Sequence, residues 1–470
     1  MPDDLCSAKG PEEWYASTLT ILGIIGGLGL LVGYNAVNFF SSRYGRKPAM
    51  FGVLMLALSS KVFLITSPYM SPLLEVVWLI LWQLLESLSG FPLMTFLVNL
   101  YVVDMVSAET RTVMLSLLNG WAVLGDAVSF TAGGNITTYT NEYLPVYYIA
   151  MSINVLVVLY LLFVLPESFT KEKRVELQRE RVEEDSQRTA SLSHLPPRKR
   201  VFHRMASYLG PFKILKPTWN EQKGRRNWRL LVCAVHVFVS SLGAGYVTLA
   251  MVVFLTSQYH YKPADTGYAL ALYSFTSATV LTFAIPFVFR ILRPLYRRAS
   301  RGQEPALRAQ QDDADNETTS EASDRLDVHV TVVSWLIEAV GYILVAHIPT
   351  RLGQYSSIVF LGFSAARNPV LRSLVAASVE PLKQGEALTA IEMVGSIAMF
   401  ISPIILGTIL TAYAVSVNPK HLIYLLVLSS STISTMPTLV FWVNFALVLL
   451  ASLVLLLVRD SDRYQKPHEE

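Results

Sequence analysis

SSRYGRKP, residues 41–48, joins two apolar runs that we read over 15–40 and 49–69. A helix needs about 20 apolar residues to cross a hydrocarbon core of about 30 Å, and each run reaches that length. Between them Arg43, Arg46 and Lys47 crowd around Gly45 in a tight, multiply charged joint that must stay out of the lipid. The chain crosses, turns within a few residues and crosses back. Such a pair decides the class, an all-α polytopic membrane protein.

Outward from this joint the pattern repeats. Spans are predicted at 15–40, 49–69, 77–103, 113–137, 144–165, 229–256, 265–290, 328–348, 354–379, 387–413 and 437–458, eleven in all. Of the 470 residues 52% are hydrophobic and only 16% charged, where ordinary soluble domains carry about 25%. The two cysteines, Cys6 and Cys233, imply neither a disulfide framework nor a metal site. Asp3, Asp4, Glu12 and Glu13 against the single Lys9 do not make the basic start of a cleavable signal peptide.

Lysine and arginine placement predicts the orientation. With the N-terminus external, 31 of the 38 basic residues face the cytoplasm, including fifteen in 166–227 and seven in 290–325. The domain reading follows: an N-terminal bundle of five spans over 1–165, a cytoplasmic linker over 166–227, a C-terminal bundle of six spans over 228–460, and a cytoplasmic tail over 461–470. The linker holds a helical charged run, KEKRVELQRERVEED, and the basic PPRKR at 196–200, with Ser186, Ser191 and Ser193 as phosphorylation candidates. The loop 293–327 is polar enough to be read as disordered. HLIYLLVLSS at 421–430 is apolar but too short to cross, and is read as a re-entrant piece or as foreign to the fold.

Two motifs carry a resemblance. Arg43, Gly45, Arg46 and Lys47 in RYGRKP resemble the signature loop of the major facilitator superfamily, although Asn38 stands where the family has glycine and Ser42 where it has aspartate. YVVDMVSAETRT at 101–112 resembles the family's turn between its fourth and fifth helices, with Asp104, Glu109 and Arg111 placed to form an ion network with Arg43 or Arg46. EPLKQGEALT at 380–389, with Glu380, Gly385 and Glu386, resembles the equivalent turn of the second half, in the branch of tetracycline-type antiporters and proton-coupled folate carriers and of their fungal relatives. Matching turns in two halves are what a repeat-built transporter presents. The family loop follows the second helix of twelve and here follows the first span, so the resemblance implies family helices two to twelve with the first one lacking.

Charged groups inside spans are costly and need a reason. Glu86 lies in the third span, one turn after Gln83, and Asp126 in the fourth, among Gly120, Gly125, Gly133 and Gly134, small residues that let helices approach. Arg367 sits mid-span beside Asn368 and Pro369, with Glu338 one span before it and Glu392 one span after. On one reading Glu86 and Asp126 carry a coupling proton while Arg367 binds an anionic solute or neutralises Glu338 or Glu392. On the other these are satisfied helix-to-helix pairs. His236 reads as a packing residue, and Lys61 as one that snorkels to the surface.

The expected function is secondary active transport of a small solute by alternating access, coupled to protons because the buried candidates are carboxylates. No phosphate-binding loop, metal cluster or nucleophile elbow marks an ATP-driven pump or an enzyme. The alternative is a non-transporting membrane sensor, or a truncated inactive product, suggested by the lacking helix, Ser42 and Asn38. The expected partners are the solute, protons and the lipid bilayer, with no cofactor and no nucleic acid. The expected setting is a monomer in the plasma or vacuolar membrane.

Overall fold

The computed structural model describes residues 9–107, 110–140, 142, 144–172, 174–179, 182, 210–220, 225–261, 263–301, 312–412 and 438–458. Without water, every backbone polar group in a span must be satisfied within the chain, and an uninterrupted apolar sequence does this as helix. The first half holds α1 (Lys9–Tyr44), α2 (Arg46–Thr66), α3 (Pro72–Ser87), α4 (Phe91–Met105), α5 (Arg111–Thr140) and α6 (Leu144–Phe163). The second holds α7 (Arg229–Tyr259), α8 (Pro263–Thr279), α9 (Ile285–Arg301), α10 (Asp312–His347), α11 (Arg351–Gly362), α12 (Arg367–Ala376), α13 (Gln384–Ala412) and α14 (Leu439–Leu455). Among the described residues nine helical stretches are long and apolar enough to cross a membrane, and Leu439–Leu455 is a shorter apolar helix. Large side chains such as Leu156, Phe283, Phe287 and Leu457 point outward, as lipid-facing surface requires.

Three spans are interrupted where proline removes a backbone donor. The third breaks into α3 and α4 at Gly90, with Pro92 in the first turn of α4. The seventh passes through a π-helical turn, Val280–Ala284, just ahead of Pro286, and joins α8 to α9. The ninth tightens to a 3₁₀ turn, Phe363–Ala366, before Arg367 and Pro369, and joins α11 to α12.

The halves meet along two seams, α1 against α13 and α5 against α8. One core cluster runs across the first of these, from Met50, Phe96, Leu97 and Leu100 to Leu374, Val375 and Leu388. At the second, a Cβ on Gly120 would stand 2.5 Å from Thr282 Oγ1, beside the π turn, so only glycine fits. The wider expectation of close approach along α5 fails at Gly125 and Gly134, which have open space where a Cβ would be.

One further expectation is corrected. Segment 293–327 is not disordered throughout: α9 runs on to Arg301 and α10 begins at Asp312. Within the linker a 3₁₀ turn, Gly210–Leu215, leads into an antiparallel hairpin of β1 (Thr218–Asn220) and β2 (Arg225–Asn227). The insert at 421–430, Glu109, and Ser186, Ser191 and Ser193 lie outside the described residues.

Candidate functional site

The charged joint between α1 and α2 is built on Gly45, whose φ of 112° no L-residue with a side chain adopts easily, and where a Cβ would collide with the Glu167 carboxylate. Glu167 seats itself on the start of α2. Its Oε1 accepts from the Arg46 amide at 2.8 Å and the Phe169 amide at 3.1 Å, and its Oε2 from the Lys47 amide at 3.2 Å. An anion against the free N–H groups of a helix start is favourable in both hydrogen bonding and dipole.

The side chain of Arg46, 4% exposed, turns inward. Its Nε meets Asp104 Oδ2 at 2.7 Å, its Nη1 donates to Ser41 Oγ at 2.9 Å, and its guanidinium lies 4.6 Å from the Phe169 ring centroid. Lys47 donates to the Leu162 carbonyl at 3.0 Å, whereas Arg43 is exposed against Phe39 and Tyr44. Of the expected network, then, Asp104 and Arg46 come together and Arg43 stays outside. Arg111 is buried at the start of α5.

The turn from the second half arrives at the same place. A Cβ on Gly385 would lie 3.4 Å from Arg46 Nη2 and 3.9 Å from Asn38 Oδ1. Nearby, Thr112 of α5 donates to Asp327 of α10, with 3.2 Å to Oδ2, and lies 2.7 Å from Ser373 Oγ of α12. Polar contacts thus fasten both halves at the face of the molecule that carries Arg46. Glu380 only reaches Lys383, 3.8 Å away and exposed, and Glu386 stands in the first turn of α13.

Within the spans the charges pair. Arg367 Nε lies 2.9 Å from Glu338 Oε2, an ionic contact without linear hydrogen-bond geometry, at 15% and 2% side-chain exposure. Its Nη1 donates to Ser364 Oγ at 2.8 Å and to the Ser364 carbonyl at 3.3 Å in the 3₁₀ turn, and its guanidinium stacks 5.0 Å from the Trp335 ring centroid. Glu392 takes a different cation, Arg372, at 2.7 Å, and interacts electrostatically with Tyr34 of α1 across the seam. Glu86 accepts from Ser60 Oγ at 2.7 Å, beside the α3–α4 break. Lys61, expected to snorkel, instead stands 3.9 Å from Glu86 with 16% side-chain exposure. His236 pairs through Nδ1 with the Ala451 carbonyl at 2.8 Å.

Asp126 is half-buried on α5 and has no ion pair among the described residues. Its neighbours Leu124 and Ala127, with Thr131, Tyr268, Leu272 and Phe275, line an open apolar groove of about 620 Å³ between α5 and α8. Above the groove, the Tyr268 hydroxyl donates to Asn135 Oδ1 at 3.0 Å, which closes the seam.

Sequence reasoning passed over Glu167, Tyr34 and Asp327. A carboxylate directly after an apolar run, on the same side as a basic turn, was the available signal for Glu167. Tyr34 carried none, being one aromatic among many.

Comparison with known proteins gives a consistent pattern. The sequence profile described as Major Facilitator Superfamily matches residues 11–301. The chain is 35% identical over 363 residues to the "Major facilitator-type transporter psiT1" of Psilocybe cyanescens, covering 75% of this chain and 76% of that protein. An uncharacterized membrane protein of Schizosaccharomyces pombe is 23% identical over 281 residues, 58% of this chain and 42% of its own. Among solved structures, that of the human organic anion transporter MFSD10 (TETRAN) superposes with a TM-score of 0.62 at 15% identity, covering 95% of this chain and 88% of that one, a likeness of fold.

Proposed function

This chain belongs to the major facilitator superfamily, and from that premise we propose that it moves a small solute by alternating access in exchange or symport with protons. A multi-pass membrane transporter, not an enzyme, is what the family and its named relative establish. A relative named as a transporter also weighs against the non-transporting alternative. In this reading 1–165 and 228–460 are the two moving halves, and the Arg46 face is cytoplasmic together with the linker and the C-terminus. The protein works as a monomer in the plasma or vacuolar membrane.

The observation that carries the coupling is the position of Glu392. A coupling proton has to bind the two arrangements of the halves with different free energy, and a group at a seam does this directly. Glu338 and Glu86 have their ionic partners inside their own halves. Glu392, paired with Arg372, stands on the helix that meets α1 and interacts electrostatically with Tyr34 across the seam, and Asp126 is half-buried without a described ion pair on α5, which forms the other seam. Loss of the Glu392 charge would free Arg372 beside the α1–α13 seam, so that charge and seam change together. The groove has the size of a site for a small organic molecule, since such sites run to about 300–1,000 Å³.

The test is solute-dependent proton movement in proteoliposomes that enclose a pH dye, with a panel of small organic solutes. Glu392→Gln and Asp126→Asn should abolish proton flux, while solute exchange under equal concentrations persists. Full proton flux in both variants would sink the assignment.

A further inference from the structure

The segment ahead of α7 is a mounted, outward-facing surface that the transport reading does not use. At one end Leu215 is buried in the core cluster with Leu230, Leu374 and Leu388. At the other Arg229, 1% exposed, donates from Nε to Ser378 Oγ at 2.8 Å and from Nη2 to the Leu374 carbonyl at 3.3 Å. The 3₁₀ turn packs against α13 and the start of α7, Arg229 is tied to the end of α12, and the two strands lie between these anchored ends.

Its exposed side has a distinct composition. Trp219 pairs in register with Arg226, so the two side chains stand on one side of the hairpin. Trp228 follows directly after β2, at the N-cap of α7. Trp219 is 62% and Trp228 48% exposed, and Lys216 and Arg226 are exposed too. Two uncovered indoles are a poor match to bulk water. The next residue, Arg229, begins a helix apolar enough to cross a membrane, so the hairpin lies at the bilayer surface by chain connectivity alone. Indoles prefer the layer between headgroup and acyl chain, and cations beside them are attracted to anionic headgroups.

We propose that Lys216, Trp219, Arg226 and Trp228 form a binding surface for anionic phospholipid. The indoles enter the interfacial layer, and the lysine and arginine meet headgroup phosphate and carboxylate. The linker is thereby fixed to the membrane at the end of the molecule where the Arg46 joint lies.

The test uses the full chain in nanodiscs, with Cys6 and Cys233 replaced and a bimane fluorophore on Thr218→Cys. Discs contain phosphatidylcholine alone or mixed with phosphatidylserine, each with a little headgroup-spin-labelled lipid. Adding phosphatidylserine should raise quenching by the spin label and lower quenching by aqueous iodide. Arg226→Glu should return both toward the phosphatidylcholine values, with headgroup binding about fivefold weaker for each basic group lost. Arg226→Lys should keep the anionic-lipid effect, and Trp219→Ser should remove it in part. Equal iodide access in both lipids would overturn the proposal. So would spin-label quenching independent of phosphatidylserine, which would leave only apolar contact.

Discussion

Arg46 of α2 and Gly385 of α13 meet across the boundary between the halves, the guanidinium Nη2 3.4 Å from where a Cβ on Gly385 would stand. Arg46 belongs to the charged turn between α1 and α2 and Gly385 to the turn that opens α13, so a turn from each half contributes to a single joint. That distance is at the edge of ordinary contact. Gly385→Ala should leave folding and assembly unchanged, while Gly385→Leu should wedge the joint apart. Labelling of a cysteine placed at Ser41, which is 0% exposed, checks this: faster labelling in the leucine variant only is the expected result.

Gly45 should tolerate nothing larger. Its φ of 112° with ψ of 169° lies in a region open almost only to glycine, where another residue costs about 1–3 kcal/mol. The clash with Glu167 adds to that strain. Gly45→Ala should lower the thermal midpoint of the purified full-length protein, and an unchanged midpoint would refute the built-in turn.

Asp104→Asn removes the counter-ion of an arginine that is 4% exposed. Breaking one partner of a buried pair costs about 3–5 kcal/mol, whereas exposed pairs are worth about 0–1 kcal/mol. Lys383→Ala, which breaks the exposed contact to Glu380, is the contrast, and thermal unfolding should separate the two variants widely.

Glu338→Gln should destabilise for the same reason, since Arg367 would keep its charge at 15% exposure with Ser364 and the face of Trp335 for company. Replacing both partners by leucine should recover most of the loss, because no lone charge then remains. If the double variant is no better than Glu338→Gln, the pair acts by more than its charges.

The residues explain how far the sequence could be read. Span positions and the joint were legible because lipid imposes length and apolarity, and because charge is confined to turns. Pairing inside the spans was only partly legible. That Arg367 would meet Glu338 while Glu392 would meet Arg372 depends on how helices are rotated, and two arginines and two carboxylates left the choice open. Glu167 was hidden because its partners are backbone amides, 121 and 120 positions away, which no side-chain pattern reports. Asp327 was hidden because the polar run before it reads as loop, although it sits 3% exposed on α10 against Thr112.

The most direct test of the account is a pair of distances measured together by spin labels on the full chain in nanodiscs. One pair, Met105 and Lys383, straddles the halves at the Arg46 face, and the other, Tyr139 and Leu352, straddles them at the opposite face, at positions exposed in the structure. Asp104→Asn should lengthen the first distance and shorten the second in the same sample. Distances that stay fixed, or that lengthen at both faces together, would contradict alternating access.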